Sequence, residues 1–328
     1  MIGPGQEFHF HKLSIGLFVI SAVLLGLVAL AAAGLWPRFM GESPGARTDA
    51  QAPRSKKADS RVAPIPATDE ARESEASLPA AGLPGVEAST ATVTLLVPAY
   101  FHPSGKSQAS WIRLIEASAH VPLVIIVNPS SGPGMEIEKA YAEAIDQAAN
   151  KKITVIGYIN TEYGKRPLEA VKAEIERWAR FYPKIRGFFF DAQAKEAEHV
   201  NYYREISKYA KARVAGALVA TNPGTACAED FFSRSATDVA CVFEHPTGFS
   251  AFSLDLWARR YPLNRFAALP YKVVGEDAMK VYVGDAAGKG IGYLYVTDGS
   301  GENPWADLPS YWDAEVEAVH RVNQRQVP

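Results

Sequence analysis

Residues 121–134 read VPLVIIVNPSSGPG: seven apolar, mostly β-branched residues, then a segment of Asn, Pro, Ser and Gly. A run of this length with no polar alternation fits a strand covered on both faces, and the Pro/Gly-rich tail fits the loop that ends it. Strands of that kind belong to parallel sheets flanked by helices. The same signature recurs on both sides of this stretch. VTLLVPA (93–99) precedes it. KITVIGY (152–158), RGFFFD (186–191), RVAGALVA (213–220), DVACVF (238–243), NRFAALPY (264–271) and GIGYLYVT (290–297) follow it.

Amphipathic, helical patterns fill the gaps. They cover Ile137 to Ala149, Leu168 to Phe181, Val200 to Lys211, a short piece from Ala228 to Ser235, Phe252 to Arg260, Glu276 to Ala287, and Tyr311 to Gln324 at the end. Pro167 suits the opening turn of the second of these. Eight strands joined by crossover helices imply an α/β protein with a parallel sheet, which on closing becomes a (β/α)8 TIM barrel. The 236 residues from 93 to 328 are close to the ~250 such a barrel uses. A doubly wound open sheet is the alternative.

The N-terminal third is different. Residues 1–12 form a short tail. Residues 13–36, LSIGLFVISAVLLGLVALAAAGLW, carry no charge. About 20 apolar residues cross a bilayer core, so this run is expected to be a transmembrane anchor. A cleaved signal peptide is the competing reading, but its apolar core rarely exceeds about 15 residues. Residues 37–92 are rich in Pro, Ala, Ser and Gly, have no aromatic residue after Phe39, and are expected to form a disordered linker. Arg38, Arg47, Arg54 and Lys56 follow the apolar run and only Lys12 precedes it. A simple charge count therefore puts the C-terminal domain in the cytoplasm, although long domains translocate largely regardless of charge.

Composition excludes several functions. The net charge of −2 offers no basic field for a nucleic-acid backbone. No G-x-G-x-x-G or G-x-x-x-x-G-K-[ST] opens a helix, so no nucleotide partner is expected. There is no G-x-S-x-G nucleophile elbow. His102 and His245 are isolated, and two cysteines cannot build a thiolate zinc site, so neither metal nor cofactor is expected. Cys227 and Cys241 are either a disulfide or two buried thiols.

In a TIM barrel the site lies at the C-terminal ends of the strands. Reading those ends gives Tyr100 and His102, then Asn128, then Tyr158, Asn160 and Tyr163, then Asp191, Asn222, Glu244, Tyr271, and Asp298 with Trp305. Asp191 and Glu244 each close an apolar strand. Two carboxylates across one barrel mouth are the minimum for hydrolysing a glycosidic bond, one as acid and one as base or nucleophile. Each could instead only cap a strand end or pair with Lys or Arg. The aromatic residues suit the apolar faces of sugar rings.

These blocks resemble the spherulin-4 family: LLVPAYFHP (95–103), Trp111, VPLVIIVNPSSGPG, VIGYINTEYGKR (155–166), YPKIRGFFFD (182–191), Tyr202–Tyr203, NPGT (222–225) and VFE (242–244). The resemblance implies a (β/α)8 barrel hydrolysing α-1,4-linked N-acetylgalactosamine in exopolysaccharides. It implies Asp191 and Glu244 as catalytic carboxylates. Tyr100, His102, Asn128, Tyr158, Tyr163, Asn222, Tyr271 and Trp305 are then the expected substrate-binding residues. A polysaccharide substrate sets the expected location: a single-pass membrane protein with its barrel periplasmic or extracellular. The family places a Glu directly after the fourth-strand Asp, whereas this chain has Ala192, followed by Gln193. That departure raises a second reading, a polysaccharide-binding barrel without catalysis, and behind it a third, a scaffold on a tether.

Overall fold

The computed structural model describes residues 92–325. The expected anchor at 13–36, the tail before it and all but the last residue of the expected linker at 37–92 lie outside the described residues. Among the described residues no helix is long and apolar enough to cross a membrane.

Eight parallel strands close into a barrel in sequence order. They are β1 (Thr94–Ala99), β2 (Leu123–Val127), β3 (Thr154–Asn160), β4 (Gly187–Asp191), β5 (Leu218–Thr221), β6 (Val239–Phe243), β7 (Phe266–Ala268) and β8 (Tyr293–Leu294). Pairing of Thr94 with Tyr293 and Leu95 with Leu294 shuts the cylinder. Outside run α1 (Gln108–Glu116), α2 (Lys139–Asn150), α3 (Leu168–Phe181), α4 (Val200–Arg213), α5 (Asp230–Ser233), α6 (Glu276–Ala286) and α7 (Trp312–Gln324).

The strand chemistry explains the closure. Phe188, Phe189 and Phe190 are all essentially inaccessible, so both faces of β4 are covered, one by the barrel interior and one by helices. On α3, Val171, Ile175 and Trp178 recur at helical spacing and are fully buried. Trp178 lies directly on β3, where its indole N–H donates to the Tyr158 carbonyl at 3.0 Å. Residue 157 is Gly because a Cβ there would meet the Trp178 ring at 2.6 Å.

Several expectations need correction. The strand expected from 213 begins only at Leu218, because α4 continues to Arg213 and the chain then turns through Gly216 at φ +71. Strand β7 is confined to three residues between Pro262 and Pro270. The helix expected over Phe252 to Arg260 is a five-residue 3-10 turn, Leu256–Arg260, flanked by the short turns Phe249–Ala251 and Leu263–Arg265. Extended backbone at Phe252 and Asp255 precedes the turn and Pro262 follows it, which leaves no room for a longer helix. Helix α1, absent from the sequence reading, fills the first crossover. Cys227 and Cys241 are both buried free thiols.

Candidate active site

The strand ends place the carboxylates. Asp191 is the last residue of β4, Asn222 follows β5, and Glu244 follows β6, so the three stand on adjacent staves. Asn222 Nδ2 donates to Asp191 Oδ1 at 2.8 Å and to Glu244 Oε2 at 2.5 Å. Its Oδ1 accepts from the Gly224 N–H at 2.9 Å, which fixes the amide orientation. The Tyr158 hydroxyl donates to the other Asp191 oxygen at 2.8 Å. Burial first, and then the Asp191 charge, push the Tyr158 pKa up, so this group stays a protonated donor.

The Glu244 pKa is raised to about 7. Burial is the main cause; the Asn222 hydrogen bond opposes it, the Asp191 charge adds to it, and the Trp305 indole also opposes it. No Lys, Arg or His forms an ion pair with either carboxylate among the described residues. The structural alternative of a strand-end carboxylate locked to an arginine therefore does not apply.

Both carboxylates face a cleft of about 530 Å³, lined also by Tyr100, Asn128, Tyr158, Tyr271, Glu302, Asn303 and Trp305. Tyr100 meets Tyr158 edge-on with ring centres 5.6 Å apart, and Tyr271 meets Trp305 in the same way at 6.0 Å. These pairs give the cleft aromatic walls above an acidic floor.

Not every expected residue is here. His102 is outside the lining: it sits on the surface with Ser104 Oγ 2.9 Å from Nδ1 and Glu138 3.4 Å from Nε2. Tyr163 is 59% exposed and also outside, because its left-handed backbone (φ +56) belongs to a turn whose N–H donates to the Ala192 carbonyl. Asn222 is 7% exposed with both polar atoms committed to protein partners, so it holds the carboxylates rather than offering groups to a ligand. Asn160 does not line the cleft: its Oδ1 accepts from the Glu162 N–H at 2.7 Å, and its Nδ2 donates to the Tyr158 hydroxyl at 3.4 Å. Asp298 is tied to Ser310.

Sequence reasoning missed Glu302 and Asn303. They share the loop after β8 with Trp305, so the strand-end rule that picked Trp305 would have found them too. Ala192 adopts φ +49, and its carbonyl accepts from Thr161 Oγ1 at 2.8 Å and Tyr163 N at 2.7 Å. It does not line the cleft. Glu196 and Glu198 lie exposed at the following 3-10 turn and do not replace it. Among the described residues no group of three or more His, Cys, Asp or Glu is arranged to hold a metal ion.

The model of spherulation-specific family 4 matches residues 94–319, the whole barrel from β1 into α7. The chain belongs to that family. Spherulin-4 of Physarum polycephalum is 28% identical over 247 residues, 72% of each chain. Among solved structures, Sph3 of Aspergillus clavatus in complex with GalNAc superposes with a TM-score of 0.61 at 21% identity, covering 70% of this chain and 98% of that one. This likeness shows the shared barrel fold.

Proposed function

We propose that this chain is a glycoside hydrolase acting on an amino-sugar polysaccharide of the α-1,4-galactosaminide class, with Asp191 and Glu244 as its two catalytic carboxylates. One observation carries the reading: both carboxylates accept from a single Asn222 nitrogen at the floor of an aromatic-walled cleft. The GalNAc bound to Sph3, a protein with the same barrel, supports the sugar class.

The residues divide the work by their surroundings. Glu244, with a pKa near 7, holds a proton in part of the population at neutral pH and is the acid. Asp191 is the nucleophile. Its carboxylate attacks the anomeric carbon while the glycosidic C–O bond breaks, and the departing oxygen takes the Glu244 proton. Water then attacks the glycosyl-enzyme ester and returns a proton to Glu244, and Asp191 leaves as carboxylate. Tyr100, Tyr271 and Trp305 supply flat surfaces for the sugar rings.

Asp191→Asn removes the nucleophile at nearly constant shape. No oligosaccharide release from an α-1,4-galactosaminide polymer is expected, and full activity in this variant would end the assignment. Ala192 favours a second reading, a barrel that binds the polymer without cleaving it. That reading expects binding by the unaltered chain with no reducing ends released on long incubation. As a further part of the proposal, residues 13–36 anchor the chain in a membrane with the barrel on the side where the polysaccharide lies.

A further inference from the structure

The mouth of the barrel where the strands begin is lined quite differently from the cleft. Residues at the starts of β2, β3, β5 and β8, with Lys152, Lys184 and Arg186, enclose a hollow of about 540 Å³ that contains no acidic lining residue. All three cations are exposed. None is paired with a carboxylate among the described residues. Asp238, which acts on Tyr293 at the edge of this mouth, is already occupied by Lys211 at 2.6 Å and by the Val219 N–H at 2.9 Å. Arg186 Nη1 donates to the Ile185 carbonyl at 3.2 Å, which leaves its charge unmatched. The chain as a whole carries net charge −2, so three cations without a carboxylate partner around one hollow are a local feature and not the overflow of a basic protein.

The backbone under these cations is fixed. Arg186 donates from its N–H to the Val155 carbonyl at 2.7 Å and accepts from Leu218 N at 2.9 Å. Lys152 is held at φ +61 in the turn that closes α2, its N–H on the Ala149 carbonyl at 2.9 Å. The polypeptide enters the barrel at this same mouth. Val93, just ahead of β1, is clamped by Asn323, which accepts from its N–H at 2.8 Å and donates to its carbonyl at 2.9 Å. Upstream of that entry lies the uncharged run Leu13 to Trp36.

We propose that the strand-start mouth of the barrel docks on an anionic phospholipid surface, with headgroup phosphates received by Lys152, Lys184 and Arg186. Charge complementarity and the entry point of the chain both favour this partner. In this arrangement the catalytic cleft, at the strand ends, opens away from the bilayer toward the polymer. The docking is independent of the hydrolase reading, and it gives the anchor a consequence beyond attachment, since it orients the domain. Each cation near such a surface contributes enough that neutralising one weakens docking roughly fivefold.

The test uses the full chain in nanodiscs of phosphatidylcholine, with and without phosphatidylglycerol, and follows amide hydrogen exchange at 151–153 and 184–186. Slower exchange at both segments in the anionic discs is expected. It should disappear in the triple variant Lys152→Gln, Lys184→Gln, Arg186→Gln and at high salt, where exposed charges are screened. The thermal midpoint of the triple variant checks that it remains folded. Equal exchange in the two lipids, or protection that survives the triple substitution, overturns the proposal. Protection by added pyrophosphate in zwitterionic discs, with none from anionic lipid, also overturns it by making the ligand a soluble phosphate. If the chain does not enter zwitterionic discs at all, the anchor reading falls separately, and docking is then read from binding to anionic discs that the triple variant loses.

Discussion

Asp191 and Glu244 accept hydrogen bonds from the same nitrogen, Nδ2 of Asn222, so their bonded oxygens lie no more than about 5.3 Å apart. Retaining glycosidases separate their carboxyl groups by about 5–5.5 Å, whereas inverting ones leave about 6.5–9.5 Å to admit a water. Here an amide occupies the gap that the water would need. The expected outcome is retention: proton NMR of the first-formed product should show the α-anomer before mutarotation. An initial β-anomer would exclude Asp191 as nucleophile.

The proton on Glu244 ties both rate and stability to pH, and each falls as pH rises. The acid role proposed for Glu244 requires the protonated form, so the rate should fall as pH rises past about 7. Glu244→Gln should lower the rate by ~10²–10⁴-fold. Stability follows from the folded-state pKa being raised from 4.5 to about 7. Below 4.5 both folded and unfolded states hold the proton and there is no penalty. Between 4.5 and 7 only the unfolded state gives it up, so stability falls, and above 7 the full penalty of up to about 3 kcal/mol applies. Glu244→Gln should therefore melt higher than the parent chain above pH 7, with the difference closing below pH 4.5. Melting curves across that range check it, and a constant difference would contradict the assigned titration.

Asn222 lowers the Glu244 pKa, so removing it should move the group further up. In Asn222→Ala the falling limb of the pH–rate profile is expected at higher pH, with a reduced maximum, because the two carboxylates lose their common support. Asp191 Oδ1, Glu244 Oε2 and the Gly224 N–H each lose their Asn222 partner, at a cost of about 1–3 kcal/mol. A profile with an unmoved limb would show that Asn222 does not set the Glu244 proton.

The legibility of this chain follows from which physics each feature obeys. The eight strands were readable because a strand buried on both faces is apolar throughout, as 188–190 are, and strand ends then give the locations of Asp191 and Glu244. Length was not readable where local turns intervened: Gly216 shortens β5, and Pro262 and Pro270 confine β7. Membership of the cleft was less legible than position along the strand. His102 and Tyr163 follow strands as Tyr100 does, whereas Tyr158 lies within β3; their loops turn His102 and Tyr163 outward, and period-2 reasoning stops where the strand does. The role of Asn222 depends on what lies beside it on β4 and β6, which only the closed barrel brings together.

Close contact between α3 and β3 makes Gly157 a sensitive position. A Cβ at 157 would lie 2.6 Å from two Trp178 ring carbons, and the ring is held by its hydrogen bond to the Tyr158 carbonyl. Gly157→Ala should cost about 1–3 kcal/mol through overpacking. It should also disturb Tyr158, whose hydroxyl supports Asp191. Chemical denaturation measures the first effect. A neutral result would mean that α3 slides away from the barrel at little cost.

Ala192 is where the proposed hydrolase and the binding-only reading part, and its geometry says what replacing it should do. Its backbone already lies in the left-handed region, so Ala192→Glu adds no new backbone strain. Its carbonyl is held by Thr161 and Tyr163, which fixes the direction of the side chain, and residue 192 does not line the cleft. If Asp191 and Glu244 already form the working pair, the unaltered chain releases reducing ends, and Ala192→Glu changes that rate by well short of the ~10²–10⁴-fold a new general acid contributes. If the barrel only binds polymer, the unaltered chain is silent and Ala192→Glu creates activity. A reducing-end assay on both proteins separates these outcomes, and a silent parent with an active variant would overturn the two-carboxylate mechanism.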